Sequence, residues 1–258
     1  QFSSFDIDGN QVRGFPGIKL EKQLQEELKG TLTEERITND ILNYQELFNN
    51  PENFVMNDGR KELSYSTFNQ NVLPKLSYLR FINNNYVNEK SVGYSISEIE
   101  NLPIENGANF YQQRDKKIYN ILNASYKDWD YSNQEKSFWI KKNKDVSIPF
   151  EYGYHEGWRT VLSCMELMAL PIIAICICIA PMFSGEYQSG ADNIILSSRY
   201  GKSKLVVAKI LSSFIFAFIV YTINIFVGLG IVLFSFGIDG WSLPIQIINS
   251  TTPYALTF

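Results

Sequence analysis

Along the chain the spacing of apolar residues changes once, near residue 160. Residues 161–183 form a run of 23 with a single charge, Glu166, and residues 210–236 form a run of 27 with none. At about 1.5 Å per helical residue, either run is long enough to cross the roughly 30 Å hydrocarbon layer of a bilayer. A core helix of a soluble domain rarely stays apolar on every face over such a length, so two transmembrane helices are expected. Pro171 and Pro181 permit bends in the first.

Before residue 160 the pattern is amphipathic. Leu20, Leu24 and Leu28 recur at helical spacing and close near Gly30; Ile37, Ile41, Tyr44 and Phe48 do the same over 33–49, ahead of Asn49-Asn50-Pro51. Thr31 and Glu34 have the spacing of a capping box for that second helix. Ser95 to Glu98 opens a short helix, and residues 108–123 and 133–143 read as helical, with Phe110, Ile118 and Ile121 as core positions of the former. The many Tyr, Phe and Trp between 65 and 158 read as core more readily than as a ligand face. Phe150, Tyr152, Tyr154 and Trp158 alternate just ahead of the first apolar run, where an interfacial anchor is expected.

The expected class is therefore an α-helical integral membrane protein with two visible transmembrane helices and a mainly α-helical extracytoplasmic domain. The domain covers 1–158. The transmembrane region covers 159–258, with spans at 161–183 and 210–236, a connecting loop at 184–209 and the start of a further span near 253–258.

Charge supports this division and sets an orientation. Mean hydropathy is near zero over the whole chain, yet residues 1–158 hold 18 of the 23 Lys and Arg and 23 of the 27 Asp and Glu. The loop carries Arg199, Lys202, Lys204 and Lys209, whereas residues 237–258 contain neither Lys nor Arg. The positive-inside bias puts the loop in the cytoplasm and residues 1–158 outside, since long translocated domains escape that bias. Residues 1–30 contain no apolar signal core, so a fragment lacking an upstream span is expected.

Cys164, Cys176 and Cys178 all lie in the first apolar run, which leaves the polar domain without disulfides. A single His155 with no nearby Cys argues against a zinc site, and neither metal nor cofactor is expected. Gly201-Lys202-Ser203 imitates the end of a phosphate-binding loop, but Leu196 stands where the first glycine is needed. Nor does a recognisable nucleophile motif suggest an enzyme. Glu166, an ionisable group inside an apolar run, either meets substrate, reaches the interface or pairs within a bundle. Ser213, Ala217, Asn224 and Gly228 form a small and polar stripe suited to helix packing.

The stretch FSGEYQSGADNIILSSRYGKSKLVVAK at 183–209 resembles the cytoplasmic loop of ABC-2 type permeases, the membrane subunits of bacterial ABC exporters. Glu186, Gly190, the apolar 194–196, Arg199 with Lys202, and Lys209 fill the family's positions, and 253–258 is similar to its entry to the next span. The resemblance covers 150–258 closely and 1–149 only in architecture. It implies a permease subunit, with Glu186, Gly190, Asp192, Arg199, Lys202 and Lys209 coupling it to a cytosolic ATP-binding subunit that hydrolyses ATP. The implied partners are that subunit, a second permease half and membrane lipid, with no nucleic acid. A short helix at 184–198 would lie against the bilayer and act as the lever. Glu166 and Asn224 are the pathway or bundle-polar candidates. The competing expectation is a membrane-anchored sensor whose extracytoplasmic domain binds a ligand.

Overall fold

A computed structural model describes residues 2–6, 8–57, 59–87, 96–105, 107–125, 130–201 and 203–258; for Met168, Phe183, Asp192 and Leu196 the backbone alone is described. The chain is mostly helical and divides into two units, Gln1–His155 with Asp239–Phe258, and Glu156–Ile238.

The first unit opens with an antiparallel pair, β1 (Ser3–Phe5) and β2 (Gln11–Arg13), followed by α1 (Gly14–Glu27). Next come β3 (Gly30–Thr31), α2 (Glu34–Glu46) and the hairpin of β4 (Phe54–Asn57) with β5 (Arg60–Leu63). Then α3 (Tyr65–Thr67) leads through wide and tight turns into α4 (Leu76–Asn83), followed by α5 (Ser97–Glu100), α6 (Phe110–Asn123), α7 (Asn133–Asn143) and β6 (Glu151–Tyr152). Strand β6 closes on β3, pairing Gly30 with Tyr152 and Thr31 with Glu151.

Helix α2 forms where the spacing of Ile37, Ile41 and Tyr44 predicts, and all three are buried. Its cap differs. Thr33, not Thr31, accepts from the Arg36 amide at 3.2 Å, because Thr31 is committed to the β3–β6 ladder. The Glu34 carboxylate reaches away from its own helix and accepts from the amides of Phe110 and Tyr111 at 2.8 and 2.9 Å. An acidic group there satisfies orphan donors of the first turn of α6 and opposes that helix's dipole. The reciprocal capping box occurs at α7, between Ser132 and Glu135.

Around α2 the aromatic residues form the core, as expected. Tyr78 packs edge-on against Tyr152 at 5.0 Å, and Tyr111 against both Phe110 and Phe150 at 5.1 Å. Phe150, Tyr152 and Tyr154 are all buried in this unit rather than serving as an interfacial belt. Ile118 is buried but Ile121 is only half-buried, and Leu122 takes the deeper position. The short helix α5 begins at Ser97; Ser95 lies outside the described residues.

Residues 239–258 return to this unit. Ile247 is buried in its core, Pro244 bridges Thr257, and the Phe258 ring stacks on His155 at 6.2 Å. The reason is compositional: Pro244, Gln246, Ser250 and Pro253 break a helix and supply polar groups for which buried partners exist.

The second unit begins with α8 (Glu156–Cys164), a tight turn at Met165–Met168, α9 (Ala169–Ile179) and α10 (Pro181–Gln188), which together run as one 33-residue helical stretch. After α11 (Asp192–Ser197) comes α12 (Lys204–Phe236), also 33 residues. Mean hydropathy reaches 2.4 in the most apolar 18-residue stretch of each long helix, and only 6 % and 0 % of those stretches are buried. Both are long and apolar enough to cross a membrane. Each is longer than the apolar run within it, so the link between them shortens to residues 189–203. Pro181 stands at the first position of α10, where its missing N–H is least costly.

The two helices meet closely at one end. Gly157 abuts the Gly237 carbonyl with no room for a β-carbon, and the Trp158 indole donates to the Ile238 carbonyl at 3.1 Å. Along α12 the half-buried face is Leu205, Lys209, Ser213, Ala217, Tyr221, Ile225, Leu229 and Val232. The small and polar stripe read from the sequence therefore follows this face only through Ser213 and Ala217. Asn224 and Gly228 lie at its exposed rim, because the half-buried positions keep a four-residue spacing through 217, 221, 225 and 229, whereas the stripe steps by seven from Ala217 to Asn224.

Candidate functional site

The link between α10 and α12, with the helix ends beside it, carries six of the nine charged residues of the second unit, Glu186 to Lys209. Helix α10 ends in a left-handed residue, Gly190 at φ +70°, with the Ala191 amide donating to Glu186 O at 3.0 Å and the Gly190 amide to Tyr187 O at 3.2 Å. Such an ending suits glycine and reverses the chain tightly. The expected single helix over 184–198 is consequently two pieces, the last residues of α10 and the six-residue α11, headed by Asp192. Of the segment expected to lie along a bilayer, Ile194 is exposed and Ile195 half-buried.

Glu186 on α10 forms an ion pair with Lys209 on α12. The Lys209 ammonium also donates to Met182 O at 3.0 Å, and Ser213 Oγ donates to Lys209 O at 2.8 Å. With side-chain exposures of 32 % for Glu186 and 14 % for Lys209, the pair is partly shielded from water. It joins the end of α10 to the start of α12. Met182 was not legible as a participant, since it takes part through its backbone carbonyl and as a sulfur acceptor for Ser213 Oγ at 2.9 Å.

Arg199 stands apart from that pair. Its guanidinium lies 5.4 Å from the centre of the Tyr200 ring, and Lys204 Nζ lies 4.5 Å from the same ring. Gly201 packs against the Ile195 carbonyl so tightly that no side chain fits there. Lys202 lies outside the described residues.

The two apolar-run candidates do not share a site. Glu166 is exposed in the tight turn between α8 and α9. Asn224 folds its amide back to Val220 O at 2.8 Å and lines an apolar cavity of about 240 Å³ with Tyr221, Gly228, Cys164 and Pro171.

In the first unit a polar cleft of about 860 Å³ is lined by Asn49, Arg60, Glu62, Ser97, Glu100 and Asn101, among others. The Gln45 amide fixes one wall by donating to Ile99 O and Leu102 O at 2.8 and 2.9 Å. Burial raises the Glu100 carboxyl above its ordinary value. Among the described residues no group of three or more His, Cys, Asp and Glu side chains is placed to hold a metal ion.

No family model, curated protein or solved structure matches this chain.

Proposed function

We propose that this chain is part of a multi-pass cell-membrane protein, the permease subunit of an ATP-binding cassette exporter of the ABC-2 type. The observation that carries the membrane reading is the surface of its two 33-residue helices, whose most apolar stretches are almost wholly unburied. Water penalises such a surface and hydrocarbon does not. Orientation follows from the basic residues between α10 and α12, which favour the cytoplasm. The membership of both flanking segments, Gln1–His155 and Asp239–Phe258, in one unit supports a hairpin with both ends on the opposite, extracytoplasmic side.

The transport reading rests on the loop motif from Glu186 to Lys209 and on the ion pair within it. A cytosolic ATP-binding subunit pressing on α11 would act on α10 and α12 together, because Glu186 and Lys209 join them. ATP is hydrolysed in that separate subunit, and a second permease half completes the pathway. The test is ATP hydrolysis by the complex purified from native membranes through a tag on this chain. Vanadate-sensitive hydrolysis, with its stimulation by transported substrate lost in Glu186→Ala at equal assembly, is expected. A chain that purifies without associated ATPase activity contradicts the proposal.

The polar cleft of the first unit favours one second reading, a membrane-anchored sensor that binds a ligand outside the cell. Sensor and permease separate on the same preparation, since a sensor requires no ATPase partner.

A further inference from the structure

We propose that residues 239–258 are a closing strap: the first unit cannot complete its fold on residues 1–155, and it locks when the segment beyond α12 returns and is latched by Arg114. This inference is independent of the transport reading.

Arg114 lies on α6 on the same face as Phe110 and Ile118, yet it is only 2 % exposed. Its Nε donates to Ser250 O at 2.6 Å and its Nη2 to Thr252 O at 3.1 Å, both within the strap. The remaining contacts are Asp115 at 3.0 Å, itself largely exposed, and the Phe150 ring at 5.5 Å. A guanidinium is tolerated inside a protein when its donors find partners, and here the strap's carbonyls take two of them and Asp115 a third. Without the strap the same charge would face an opened core.

Further contacts make the strap integral rather than a docked tail. Ile247 enters the hydrophobic core. Gln246, 1 % exposed, donates to Thr252 O at 3.2 Å and Tyr254 O at 2.7 Å, which holds the strap in a loop. Ser250 bonds to Asn85 in the segment after α4. Synthesis order gives the arrangement its consequence. Residues 1–155 are made first, the long apolar pair second and the strap last, so the first unit closes only in a chain whose helical pair is finished. In a membrane it also closes only if both flanks of that pair lie on one side.

Hydrogen exchange of the full chain in detergent tests this, compared with a chain ending at Ile238 and with Arg114→Met and Arg114→Lys. The shortened chain should exchange amides of α4 and α6 about a hundredfold faster or more, because an unpaired buried charge and a core gap appear together. Arg114→Met should accelerate exchange first in residues 244–254, with Arg114→Lys intermediate. If the shortened chain keeps α4 and α6 within about twofold of the full chain, the strap is dispensable and the proposal fails. If Arg114→Met leaves residues 244–254 as protected as before, Arg114 is not the latch and that part fails.

Discussion

Ile37, Ile41 and Phe110 of the first unit are 0 % exposed, whereas Phe218 and Phe234 of the second are 73 % and 88 % exposed. The side chains are of one kind, and what differs is the solvent that each unit's surface fits. The first unit removes its apolar groups from water by enclosing them among α2, α4 and α6, and leaves most of its charges, Arg114 apart, outside. The second unit has no such interior, because two helices crossing at a single face cannot bury surfaces that are apolar all round. In the first unit stability resides in packing; in the second the surroundings must supply it.

Substitution by alanine should separate the two most strongly. Phe110→Ala is expected to lower the unfolding free energy of the first unit by about 3–5 kcal/mol, through lost burial and a residual cavity. Phe218→Ala, of the same chemistry, should change it by no more than about 0.5 kcal/mol. Denaturant titration of the full chain in detergent reads both. Equal effects would erase the distinction between the units.

A charge sharpens the same comparison. Phe218→Arg places an ion near the middle of α12 and should penalise insertion by about 2.5–3.5 kcal/mol if that residue meets hydrocarbon. The inserted fraction in a glycosylation-based assay reports it. Insertion equal to wild type would remove α12 from the bilayer.

The ion pair is expected to matter less. Glu186→Ala should cost about 1 kcal/mol, discounted for the exposure of the carboxylate, and the exchanged pair Glu186→Lys with Lys209→Glu should recover part of it. Thermal melts of the second unit's helicity read the change. Full additivity of the two single substitutions would mean that the pair contributes nothing.

The smallest effect concerns α7. Hydrogen bonds from Ser132 hold the Glu135 carboxyl below its usual value of 4.5. A depressed carboxyl stabilises fully above the unfolded value and is lost as pH falls through the lower folded one. Amide exchange over Asn133–Asn143 should therefore accelerate below about pH 4.5 beyond the intrinsic rate. Ser132→Ala should remove that extra dependence; its survival in this variant would assign the effect elsewhere.

The elements of the fold were legible where periodicity is strong. Leu20 with Leu24, Ile37 with Ile41, and the two long apolar runs place helices within a few residues of those observed, because local spacing determines which face can be buried. Contacts between distant segments were not legible. Nothing local says that Glu34 caps α6 rather than α2, or that 253–258 folds back onto His155. One signal was present and unread: Arg114 stands four residues from both Phe110 and Ile118, on an apolar stripe where a solvated charge has no place. In the loop, Gly190 marked a break that the expected helix over 184–198 ran through. The joining of Glu186 to Lys209 required the hairpin itself.

The central claim is that the helical pair crosses a membrane as a hairpin, with the first unit and its strap on one side and the link on the other. Single cysteines at Ser132, Ser198 and Ala255, in a chain otherwise free of cysteine, can be labelled in intact cells with a membrane-impermeant maleimide. The account predicts labelling at positions 132 and 255 from outside, and at 198 only after permeabilisation. Labelling of position 198 in intact cells, or opposite accessibility of positions 132 and 255, would contradict it.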